Sequence, residues 1–165
     1  MSSHRTVLTH RRALRSLPAL LVLILALVGA QLDAAAPITD KHVKRRVELM
    51  TGQKAAITTL ADMMAGRMVF NAAKAKAARR SLIKSTGDIR KRFRKPRMDP
   101  NSHARPLVWQ QWEDFEMRAE RAEDAAKQIS ANTLNGLLRT VPNMVQACLS
   151  CHETYRDTPN DFVTH

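Results

Sequence analysis

From Val43 onward, apolar residues recur every three or four positions, and this helical period governs nearly all of the chain. Val43, Val47, Met50, Ile57, Ala61, Met64 and Met68 mark a first helix. Its stripe is broken only by Lys54, whose aliphatic stem can lie along it with the ammonium in water. Thr39 or Asp40 is the expected cap. Beyond Gly66, Ala75, Ala78, Leu82, Ile89 and Phe93 predict a second helix over about 69–92. Pro96, Pro100 and Pro106 then punctuate the polar stretch KPRMDPNSHARP, which cannot sustain a helix and reads as a long connection. Trp112, Phe115, Ala119, Ala122, Ala126 and Ile129 form the seam of a third helix, with Glu and Arg on its outer face. Leu134, Leu138, Val141, Val145, Cys148, His152 and Tyr155 form that of a fourth, which Pro142 is expected to start or kink. No stretch alternates as a strand does, and 5 Gly with 4% aromatics argue against a sandwich or barrel. The pattern predicts an all-α, antiparallel four-helix bundle.

Residues 1–16 carry four Arg and no acid, and Leu17 to Ala30 form an apolar run of 14 residues. That length suits the core of an export signal and falls short of the roughly 20 residues a spanning helix needs. Residues 1–36 are therefore expected to be a signal peptide, with 37–165 as the bundle. Export places the expected location in a bacterial periplasm. The formal charge is +12, and residues 37–165 alone hold +9, so the signal is not its main source. Nine Lys and Arg fall between Arg79 and Arg97. Such a run is a solvated face or a docking patch for an acidic protein or an anionic membrane surface. It contains a single aromatic, Phe93, and no nucleic-acid motif, so nucleic acid is not an expected partner.

The chemistry lies in Cys148-Leu149-Ser150-Cys151-His152, which takes up both cysteines of the chain. C-x-x-C-H is the attachment pattern of covalent c-type haem. Thiols one helical turn apart can add to the two vinyl groups of one porphyrin, and the adjacent imidazole then reaches the iron. On this reading Cys148 and Cys151 form thioethers and His152 is the proximal ligand of one haem c iron. A zinc site needs four ligands, and His103 and His165 would complete one only by coincidence. A thioredoxin-like pair expects a preceding strand, and a disulfide within one helical turn is strained.

A C-x-x-C-H near the C-terminus of a four-helix chain, continued as CHETYR, resembles the class II cytochromes c, the cytochrome c prime family. Arg46-Val47-Glu48-Leu49-Met50 is similar to that family's first-helix R-x-x-x-M pattern, and Trp109 to Phe115 (WQQWEDF) to its aromatic third-helix start. The resemblance implies that Met50 is the distal ligand of a six-coordinate, low-spin iron; His42, two turns earlier and outside the family's position, is the rival ligand. It implies that Arg46 pairs with a haem propionate and that Arg156 is the basic residue beside the proximal ligand. Trp112 and Phe115 are expected as apolar walls around the haem, which keep water from the iron.

The leading expectation is a periplasmic monohaem electron carrier and not an enzyme, since no hydrolysing or oxidising constellation accompanies the motif. Its basic run would meet an acidic redox partner. The alternative is a five-coordinate iron that binds nitric oxide or carbon monoxide. Family resemblance also implies a homodimer through the first two helices, which the many cations of the second oppose.

Overall fold

The computed structural model describes residues 37–157. The expected signal peptide, 1–36, and His165 lie outside the described residues. Among the described residues six helices follow one another: α1 (Lys41–Met64), α2 (Ala72–Gly87), α3 (Ile89–Phe93), α4 (Leu107–Gln110), α5 (Trp112–Gln128) and α6 (Leu134–Tyr155). The four long ones, α1, α2, α5 and α6, pack in a ring, each against two others, and form the four-helix bundle. Neighbours run antiparallel. Phe93, just past α2, meets Phe115 at the start of α5 with ring centroids 5.2 Å apart, while Arg79 midway along α2 donates to the carbonyl of Lys127 at the end of α5.

Local chemistry sets the boundaries. Asp40 caps α1, its carboxylate accepting from the amides of His42 at 2.7 Å and Val43 at 3.1 Å. Gly66, at φ +72°, turns the chain out of α1, and Asn71 caps α2 by accepting from Lys74 N–H at 2.9 Å. The second helix is therefore shorter than the 69–92 the sequence predicts, and it breaks at Asp88. Thr86 Oγ1 donates to the Leu82 carbonyl at 2.7 Å and Ser85 Oγ to the same carbonyl at 3.2 Å. Hydroxyls that bond backward in this way compete with the helix ladder and bend it. Pro142 does not start the fourth helix: α6 begins at Leu134, capped by Thr133, and Pro142 lies inside it.

The core has two parts. One joins Leu60 and Met63 of α1, Leu82 of α2, and Leu137, Val141 and Met144 of α6 across a layer of alanines. Ala75, Ala78, Ala122 and Ala126 keep that layer thin and let the helices approach closely. The other gathers Ile89, Phe93, Val108, Phe115, Ala119 and Tyr155 at the opposite end of the bundle.

Two predicted seams are rotated. In α6 the buried positions are Gly136, Leu137, Val141, Met144 and Tyr155, so Val141 and Tyr155 of the predicted seam are buried while Leu138 is 45% exposed. In α1 they are Val43, Arg46, Gln53, Ala56, Ile57, Leu60 and Met63, while Val47 is 42% exposed. Apolar spacing alone passed over Arg46 and Gln53 because both are polar.

Candidate haem site

A cavity of about 330 Å³ opens at the end of the bundle where α1 and α5 begin and α2 and α6 end. Val43 and Val47 of α1, Ile89 and Phe93 of α3 and Phe115 of α5 give it apolar walls. Cys148, Cys151 and His152 bring α6 into the same cavity, and Met50 brings α1. Two thiols three positions apart on a helix share a face. Both are free and partly buried. Burial pushes the Cys148 thiol up to about 11 and that of Cys151 up to about 12, the latter despite the nearby Arg118 cation. An attacking thiolate needs the opposite shift, so the pair is poorly suited to disulfide exchange.

The side of α6 that carries the motif is clamped by α5. Tyr155 O–H donates to Asp114 Oδ2 at 2.6 Å, and Arg118 Nε donates to the same carboxylate oxygen at 2.7 Å. Arg118 Nη1 reaches on to the Ser150 carbonyl and, at 3.1 Å, to Thr154 Oγ1. The hydroxyl of Tyr155 and the guanidinium of Arg118 hold the Asp114 carboxyl below the usual carboxylate range, and burial with that same bond pushes Tyr155 up to about 12. Asp114 and Arg118 were not among the sequence candidates. Their signal was the i,i+4 acid–base pair beside the aromatic start of the third helix.

Arg46 departs from expectation. It is 2% exposed, and its guanidinium lies 5.0 Å from the ring centroids of both Phe93 and Trp109. Nε donates to the Arg92 carbonyl at 3.1 Å, Nη1 to that of Arg97 at 2.8 Å, and Nη2 to that of Lys95. Burial draws its pKa below the ordinary arginine value. Three backbone carbonyls of residues 92–97 accept from this side chain, which also lines the cavity, because the end of α3 and the segment after it pass directly over it. Arg46 fastens that segment to α1.

The other candidates divide. Phe115 lines the cavity, whereas Trp112 is not among its lining residues and stacks behind Phe115 with centroids 5.5 Å apart. Arg156 lines it, at the end of α6, where Arg105 N–H donates to the Tyr155 carbonyl and Asp157 N–H to that of His103, both at 2.9 Å. His103 stands exposed at the cavity wall. His42 does not line the cavity.

The family profile for Cytochrome C′ matches residues 41–156, which span all of these elements. The chain belongs to the cytochrome c′ family. As a member of that family it is a monohaem c-type cytochrome with one covalent haem c and its iron. The solved structures agree in fold. Cytochrome c prime from Shewanella frigidimarina superposes with a TM-score of 0.66 at 17% identity, over 71% of this chain and 94% of that one. Cytochrome c′ from Rhodobacter Spheriodes gives 0.66 at 22%, over 72% and 96%. A nitric oxide complex of a mutant cytochrome c prime from Alcaligenes xylosoxidans gives 0.63 at 22%, over 71% and 94%. No curated protein matches the chain.

The residues present fit a haem c. Cys148 and Cys151 are placed to carry its thioethers, His152 to ligate its iron, and the Phe93 and Phe115 side of the cavity to exclude water from it. When bound, the haem would supply the redox-active, ligand-binding iron that the protein side chains lack.

Proposed function

We propose that this protein is an exported, periplasmic, non-enzymatic haem protein that binds a diatomic gas, nitric oxide or carbon monoxide, on the haem face away from His152. Cys148 and Cys151 hold the haem, and His152 is its proximal ligand. The observation that carries the reading is the cavity: its walls are mainly apolar, and each guanidinium nitrogen of Arg46, its most buried cation, already donates to a carbonyl. A small, weakly polar ligand suits such a space. Met50 packs against the cluster of Ile89, Phe93 and Phe115, a role its flexible thioether fills without touching iron. The likeness to a cytochrome c prime solved with nitric oxide supports the same reading.

One observation favours a second reading, an electron carrier with Met50 as sixth ligand: Met50 lines the same cavity as His152. Such a carrier would present the exposed Lys91, Arg94, Lys95 and Arg97 to an acidic partner. Carbon monoxide association kinetics of the wild-type holoprotein and of Met50→Leu separate the two. An open iron gives similar rates in both. A Met50 ligand makes the wild type slow and independent of carbon monoxide concentration, with the restraint gone in Met50→Leu.

A further inference from the structure

Gln53 is the polar side chain in the cavity whose chemistry remains unaccounted for. It sits on α1 three residues after Met50 and so shares that residue's face of the helix. The side chain is 7% exposed, and it lines the cavity together with Met50, Cys148, Cys151 and His152. Its Nε2, which carries two N–H donors, is buried and has no hydrogen-bond partner. Thr86, another polar residue of the cavity lining, spends its hydroxyl on the Leu82 carbonyl at 2.7 Å. Buried donors are almost always satisfied, because leaving one unmade forfeits its bond to water without replacement. An apolar residue of similar size would fill this place in α1 at no such cost.

We infer that the Gln53 amide is a hydrogen-bond donor to the diatomic ligand on the haem iron, an inference that rests on the gas-binding reading above. The donor sets how strongly the ligand is held and which ligands are held best, since an N–H favours those that draw negative charge from the iron. Haem propionates are the other acceptors the group brings. Their charges favour the solvent-exposed part of the wall, where Lys54 and His103 stand, over the buried position of Gln53.

The test compares ferrous carbon monoxide complexes of the wild-type holoprotein, Gln53→Leu and the more nearly isosteric Gln53→Met by vibrational spectroscopy, with nitric oxide release measured on the same samples. A lost donor moves the C–O stretch to higher frequency and the Fe–C stretch to lower frequency. It also speeds release about tenfold, the worth of one neutral hydrogen bond. Thermal midpoints of the unliganded holoproteins should hold or rise in both variants, because an unpartnered buried donor has been removed. The same C–O stretch and the same nitric oxide release rate in all three proteins overturn the role of Gln53 alone. That pattern is also what a propionate partner would give. A wild-type protein that does not take up carbon monoxide overturns this inference together with the gas-binding reading beneath it.

Discussion

Replacing Arg46 by Leu tests how the crossing segment is held. The substitution removes three donors from the carbonyls of Arg92, Lys95 and Arg97, together with the stacking of the guanidinium between Phe93 and Trp109. A hydrogen bond from a charged donor contributes about 1.5–3 kcal/mol, so three would sum to roughly 4.5–9 kcal/mol. Two corrections lower that figure. Lys95 and Arg97 lie in an exposed stretch, so water can reach their carbonyls once the side chain is gone, and the guanidinium no longer has to be desolvated. The expected loss is about 3–5 kcal/mol, a fall of roughly 10–20 °C in the thermal midpoint of a domain this size. Guanidinium chloride unfolding of the holoprotein, followed by circular dichroism, should show the midpoint falling with its slope unchanged. Arg46→Lys should recover less than half, because a point-charge ammonium cannot serve three carbonyls as the planar fork does. A stability within about 0.5 kcal/mol of wild type in Arg46→Leu would refute the clasp.

Other expectations follow from the same contacts. Asp40, Asp99 and Asp114 are held below the usual carboxylate range by the bonds they accept, chiefly from Val43 N–H, Asn101 N–H and the Tyr155 hydroxyl. Their contribution is present above the unfolded value of about 4 and is lost as pH falls through the folded values, so unfolding midpoints should be flat near neutrality and drop below about pH 4. Midpoints flat down to about pH 2 would refute this. Tyr155, raised to about 12, contributes below its unfolded value of about 10 and loses that contribution as pH rises toward 12. Tyr155→Phe should abolish this alkaline loss and destabilise the protein by about 1 kcal/mol at neutral pH, as read from denaturant titrations. Gly136→Ala would place a methyl 2.5 Å from the Ser130 carbonyl, which shifts the start of α6 and costs about 1–3 kcal/mol in the same assay.

The bundle was legible because helix period, proline punctuation and the C-x-x-C-H motif are local features of sequence. The second-helix seam, Ala75, Ala78, Leu82, Ile89 and Phe93, is buried as its spacing predicts. What escaped was contact between distant segments. Arg46 looked like a surface cation with a haem partner because nothing in its neighbourhood says that residues 92–97 cross over it. The buried register of α6 differs by one position from its most regular apolar stripe, since Leu134, Leu138 and Val145 mark a flank while Leu137 and Met144 enter the buried cluster. Gln53 was invisible for the same reason as Arg46: a polar residue on a buried face has no signature in a hydrophobic pattern. The tie between Asp99 and Thr39, whose amide donates at 3.1 Å, spans sixty positions and could not be read from either end.

The most direct test of an open haem in this cavity is the absorption spectrum of the exported ferrous protein before and after carbon monoxide, with a pyridine haemochrome assay on the same sample. One covalent haem c per chain with broad high-spin bands that shift at once on adding the gas is the predicted result. Sharp low-spin bands indifferent to carbon monoxide would contradict it, and would make Met50 the ligand and the protein an electron carrier.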